Sequence, residues 1–286
     1  MAKKKETEKV KIKDFKYNIL NVKITSRNPI SEKNYQNLFE KSFSEKATAH
    51  LYGEVHGIIR QLFGGKKGEP LYGLFCRSIK LGDLAMNMDN LEIVDFEIPK
   101  NIFPNPKEAA FIFYPDLHRI AIPTNSEISI NTVQKLVEGI FKKTIDKSEA
   151  VEVLVEQASD AFDKIFSAKE IQKIHIEISP SNADTNKDAT DFMDKELRKM
   201  GAGRFVTDIH PNATGKLNTK ESKVLKGLFG MAASNGHAVA TIVNNDDKKE
   251  IVNTKKYPAI YKVAAGSSEE ARGILYNTLR KLFWNG

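Results

Sequence analysis

Only one of the 286 residues is a cysteine, Cys76, and only one is a tryptophan, Trp284. A lone thiol leaves no intrachain disulfide and no cysteine-based zinc site, since either needs further thiols. No apolar run approaches the roughly 18 residues of a membrane-spanning helix. The opening MAKKKETEK lacks both the apolar centre and the small-residue cleavage site of a signal peptide. Also missing are a P-loop and any nucleophile or metal-ligand spacing with a mechanism attached. The expectation is therefore a soluble cytoplasmic protein with no cofactor, no resident metal and no catalytic residue that can be named.

Charge is plentiful but unevenly placed. The chain has 44 Lys and Arg against 37 Asp and Glu, a net +7. Residues 1–30 and 201–286 each carry +6, so the middle carries −5. Basic ends around an acidic centre suit a polyanion such as nucleic acid. The candidate contacts are Lys9, Lys11 and Lys13 on one face of an N-terminal strand, and Lys66 and Lys67 in a glycine-rich loop. Lys216 in the loop HPNATGKLNT and Lys220, Lys223 and Lys226 on the helix expected after it complete the set. Spacing by three puts the last three on one helical face, where they could touch successive phosphates.

The stretch from Glu108 to Lys143 organises the chain. Ala109–Tyr114 and His118–Ile122 are short runs of β-formers parted by Pro115-Asp116-Leu117, and they predict a buried hairpin. Val133, Leu136, Val137, Ile140 and Phe141 then share one helical face, with Ser129 or Asn131 as the cap. Upstream, Val10–Ile24 alternates with two changes of phase, which predicts breaks or bulges near Lys13-Asp14 and near Ile19-Leu20. Ser31–Lys46 reads as a helix with the stripe Tyr35, Leu38, Phe39 and Phe43. Gly65–Gly68 fits the G-x-x-G of a KH clamp, but that loop joins two helices, and the strand-like LYGLFCRSI that follows favours a surface loop. Leu91–Ile98 is a further strand; its Asp95 and Glu97, with Lys100, lack the spacing of a metal-dependent nuclease.

The succession EIPKNIFPNP, AFIFYPDLHRIAI and SINTVQKLVEGIF resembles an uncharacterised bacterial and phage family defined only as a domain of unknown function. The matching residues are Ile98, Pro99, Asn101, Pro104, Asn105, Phe111, Phe113, His118 and Arg119. The resemblance implies full-length membership, supplies no catalytic residue, and suggests an association with antiviral defence.

Beyond residue 145, Val151, Val153 and Val155, then Ala158–Phe166, then Ile174, Ile176 and Ile178 predict a βαβ-like unit. His175, Glu177 and Ser179 share the face opposite the isoleucines, without a third ligand in sequence reach. Asp188–Met200 predicts a helix and Arg204–Ile209 a strand, followed by a helix capped by Thr219. Three antiparallel strands over 237–264 precede a last helix with a Ser267/Glu270 capping box, expected to pack on that terminal sheet. The fold expected is α+β, mainly antiparallel, with a boundary near 145 between 1–145 and 146–286. The function expected is non-catalytic nucleic-acid binding or sensing in antiviral defence. The alternatives are a nuclease built on Glu177 and Asp184, or an assembly subunit that binds a protein of the same operon or a second copy of itself.

Overall fold

The computed structural model describes residues 11–26, 28–66, 69–82, 84–96, 99, 101–180, 188–212, 217 and 221–283, with the side chains of 188–191 left aside. Its axis is β1 (Lys13–Thr25), which runs through the centre of an antiparallel sheet. One edge of β1 pairs with β8 (Arg119–Pro123). The other edge is shared by β14 (Tyr261–Ala265) beside Lys13–Tyr17 and β9 (Ala150–Val155) beside Leu20–Thr25. Beyond β8 come β7 (Lys107–Tyr114), β4 (Leu71–Ile79), β3 (Val55–Gly64) and β2 (Thr48–Tyr52).

β1 begins at Lys13, where one phase break was expected, and the break expected near Ile19-Leu20 does not occur. Its pairing with β8 runs without a shift from Tyr17 to Asn21. The strand is buried on both faces: Leu20, Val22 and Ile24 pack on one side and Tyr17 and Ile19 on the other. A strand covered twice has no alternation to keep, so its apolar run imitates a slip in phase.

The hairpin forms as predicted, with Pro115–Leu117 as a 3-10 turn and Ile112 opposite Ala121. His118 closes the turn at a left-handed φ of 54° and stacks on Tyr35 at 4.1 Å between ring centroids. α2 (Ile130–Thr144) begins where Ser129 accepts the Thr132 N–H, and it buries all five predicted apolar residues. α1 (Glu32–Ser44) lies beside it and buries Tyr35, Leu38 and Phe39, but Phe43 is exposed. Together these helices seal one face of the large sheet, with Phe39 packed against Phe113 and Phe141.

The second face is covered by α6 (Ser268–Phe283), through Ala271, Leu275, Leu279 and Phe283 at strict i+4 spacing. Ile274 and Leu282, apolar residues of the same helix, are exposed. Ser267 caps the helix by accepting the Glu270 N–H, while the Glu270 carboxylate turns to the Gly266 N–H rather than closing a box on Ser267. This helix packs on the large sheet and not on the terminal hairpin, because β14 leaves that hairpin to pair with β1.

A smaller sheet has the order β11 (Phe205–Ile209), β10 (Glu170–Ile178), β12 (Gly236–Val243), β13 (Lys249–Asn253), all antiparallel. Against it pack α3 (Ser159–Phe166), α4 (Asp188–Lys199) and α5 (Lys223–Asn235), through Phe162, Leu197 and Phe229 among others. The βαβ unit is absent: β9 belongs to the large sheet and β10 to the small one. The vacant stretch of β1 edge beyond β14 takes β9, which buries Val151, Val153 and Val155 under α2. The class is α+β.

Two further differences bear on function. α5 starts at Lys223 with Ser222 accepting the Leu225 N–H, and Thr219, the cap expected from the sequence, lies outside the described residues. The strand expected over 91–98 is only β6 (Ile93–Asp95), paired with β5 (Leu84–Met86) in a two-stranded sheet of its own. Trp284 lies outside the described residues.

Candidate functional site: an open aromatic and basic groove

α6 covers only part of its face of the large sheet. Register fixes what lies on that face. Ile19 is opposite Ala121, Ala121 opposite Ile112, Ile112 opposite Tyr72 and Tyr72 opposite Phe63. The helix buries the first three of these, while Tyr72 is half-buried and Phe63 is 60% exposed. The next register row, Ala110 opposite Leu74 and Leu74 opposite Gln61, is also open.

These residues line a groove of about 860 Å³, closed at one end by Phe15 and Tyr17 of β1. Lys13 and Arg272 stand along it, while Asp14 and Lys16, which also border it, alternate to the other face of β1. The Arg272 guanidinium lies 4.9 Å from the centroid of Tyr72, a cation-π contact that holds both in place. Tyr114 donates its hydroxyl to the Arg272 carbonyl at 3.2 Å, which fixes the helix start against the sheet. Burial pushes the Tyr17 hydroxyl above its ordinary pKa, against the pull of Arg272, so it stays neutral and donating.

Of the lysines named from the sequence, Lys13 lines this groove and Lys11 is exposed just before β1. Lys66 is exposed after β3, in a loop that joins two strands and so does not make a KH clamp. Lys223 and Lys226 are exposed on the first turn of α5, which packs on the small sheet, away from the groove. Lys9, Lys67, Lys216 and Lys220 lie outside the described residues. Sequence reasoning missed Phe15, Lys16, Phe63, Tyr72 and Arg272. The available signal was an aromatic beside a cation toward each end of the chain, Phe15-Lys16 and Arg272 near Tyr276, but which face α6 leaves bare is a tertiary fact.

A second polar cleft, of about 450 Å³, separates the two sheets. The structure supplies the partners that His175, Glu177 and Ser179 lacked. Glu177 pairs with Arg204 at 2.6 Å and Ser179 donates to Glu152 at 2.6 Å, while outside the cleft, on the small sheet, Asp208 pairs with both Lys173 and His175 at 3.1 Å. His237 is opposite Glu177 in the sheet, and burial, then Lys255, pull its pKa down to about 4. Acids held this way are committed to partners. No group of three His, Cys, Asp or Glu among the described residues is placed to hold a metal ion.

Between the sheets lies a buried polar junction. Arg119 is 1% and Glu156 3% exposed, with Nε to carboxylate at 3.0 Å. The guanidinium also donates to Asn21 Oδ1 at 2.6 Å and to the Leu117 carbonyl at 3.0 Å, and it stacks on Phe283 at 4.4 Å. Asn21 in turn donates to the Ser234 carbonyl and to Asn235 Oδ1, both at 3.2 Å. Arg119 thus ties β1, β8, α6 and the end of α5 together.

The model of the family described as Domain of unknown function (DUF4747) matches residues 13–282. The chain belongs to the DUF4747 family. The match opens at Lys13, the first residue of β1, and takes in the groove, the Arg119 junction and the cleft, so the DUF4747 domain is the whole two-sheet body. The His118-Arg119 pair is explained by the fold: one residue turns the hairpin and the other anchors the junction. Comparison with curated proteins gave no match. Among the described residues, no helix is long and apolar enough to cross a membrane.

Proposed function

We propose that this protein binds single-stranded nucleic acid along the open groove of the large sheet. The observation that carries the reading is the register pair of exposed Phe63 and half-buried Tyr72 at the margin of α6, with Arg272 over the Tyr72 ring and Lys13 beside them. A base offers a π-face to such rings, worth about 1–3 kcal/mol for each base stacked, and the cations follow the backbone. Sheets that read single strands work by this combination. A duplex keeps its base faces hidden and is held by charge alone. The nuclease alternative is less well supported, since Glu177 is held by Arg204 and Asp184 lies outside the described residues.

The test is fluorescence anisotropy with a labelled 12-nucleotide single strand and the matching duplex, across a salt series. Expected are micromolar affinity for the single strand at low salt, weaker duplex binding, and a steep fall with salt. Lys13→Glu should lower the salt slope by about 0.7 for the phosphate that is no longer neutralised. The competing location is tested alongside with Lys223→Glu and Lys226→Glu. If that pair abolishes binding while Lys13→Glu does not weaken it, the site moves to α5. Absence of binding to any nucleic acid at low salt overturns the reading.

A further inference from the structure

The excursion between β4 and β7 is built unlike the rest of the chain. Of the twenty-two large apolar side chains exposed among the described residues, nine lie between 81 and 102. They include Leu84 at 66%, Met88 at 75% and Ile93 at 65%, with Met86, Leu91 and Phe96 beside them. The β5–β6 hairpin touches neither of the other sheets by strand pairing, and two strands alone are marginal in water. Its tip is nonetheless fixed by local bonds. Asn87 accepts the Asp89 N–H at 2.9 Å, Asn90 accepts the Glu92 N–H at 3.1 Å, and Leu91 sits at a positive φ of 60°. A shaped tip carrying bare apolar side chains needs a surface to cover it.

We propose that this arm docks into the open groove of a second copy of the chain, forming a two-fold dimer in which arm and single-stranded nucleic acid compete for one surface. Three observations select that occupant. From Gly82 to Pro99 the arm has five acidic residues and no Lys or Arg, whereas the groove presents Lys13 and Arg272, its one bordering acid, Asp14, alternating to the other face of β1. An arm packed on another arm would oppose like charges; an arm in the groove pairs acid with base and apolar with aromatic. At roughly 100 Å² for each of its seven exposed apolar side chains, the arm offers on the order of 700 Å², near the share per partner of a standard interface and more than the ~300–600 Å² patch of a typical monomer. Geometry agrees with reciprocity. The strands β4 and β7 line the groove with Tyr72, Leu74 and Ala110 and emit the arm from their Ile79 and Lys107 ends, so one two-fold axis can seat both arms at once.

The competition rests on the nucleic-acid reading above; the dimer does not. Sedimentation velocity from 1 to about 100 μM without nucleic acid should show the wild type moving to twice the monomer mass. Met86→Asp with Ile93→Asp on the arm, and separately Phe63→Asp in the groove, should each weaken self-association at least about tenfold. Melting curves establish that each variant is folded. Mixing the arm variant with the groove variant restores one intact pairing of arm and groove and should recover a heterodimer. A wild type that stays monomeric, or a Phe63→Asp protein that dimerises as well as the wild type, overturns the proposal. Where dimer forms, excess 12-nucleotide oligothymidylate should return it to monomer; dimer with bound oligothymidylate overturns the shared surface.

Discussion

The two faces of the large sheet are made of similar residues and treated differently. On one, Phe111 and Phe113 are sealed beneath α1 and α2, which send Phe39 and Phe141 down onto them. On the other, α6 closes over Ile19, Ile112 and Ala121 and stops short of Phe63, Leu74 and Ala110. Aromatic rings on the first face hold the fold together. Rings on the second are spared that duty, which leaves them available for a ligand, and the cations collect on that side.

The largest losses are expected at the buried junction between the two sheets and on the sealed face. Arg119→Ala should cost about 3–5 kcal/mol, because it leaves Glu156 as an uncompensated buried charge. Phe39→Ala on the sealed face should cost a similar 3–5 kcal/mol through the cavity it opens. Urea denaturation measures both, and a change under about 1 kcal/mol at either site would mean that the residue there does not hold the fold together.

The inter-sheet cleft sharpens the contrast through pH. His237 is buried with a folded pKa of about 4 against an ordinary value near 6.5, so below pH 6.5 the unfolded chain takes up the proton first. Its contribution is thus fully present above pH 6.5 and is lost as pH falls toward 4, by about 3 kcal/mol in all. Unfolding free energies at pH 7 and pH 4.5 for wild type and His237→Gln should differ by most of that amount. Equal pH dependence in the two proteins would contradict the burial of a neutral imidazole.

Smaller effects are expected on the open face. Tyr72→Ala should weaken single-strand binding by about 1–3 kcal/mol in anisotropy titrations. Phe63→Ala should change folding stability by no more than about 0.5 kcal/mol, as an exposed position does, while it also weakens binding. Destabilisation at Phe63 comparable to that at Phe39 would erase the difference between the faces.

Much of this architecture can be read from the sequence where a single face is buried. The 133–141 stripe and the Ala271–Phe283 helix are periodic because one side of each meets water, and the Pro115 turn announces itself by its Pro-Asp start. The reading fails where burial is two-sided or where partners are distant. β1 looks interrupted because both its faces are covered, and β9 looks like part of a βαβ unit because nothing local reveals the free edge of β1 waiting for it. The groove was legible only through Lys13. Phe63 reads as one more core position, and its exposure follows from where α6 ends, more than 200 residues away in the chain.

The most direct test of the central claim is photocrosslinking of a bromouridine-substituted single strand, with the attached peptides mapped by mass spectrometry. The account predicts crosslinks on Phe63, Tyr72 and Phe15, abolished by Phe63→Ala with Tyr72→Ala while the melting temperature holds. Crosslinks confined to the Lys223–Lys226 turn of α5, or unchanged in that variant, would contradict it.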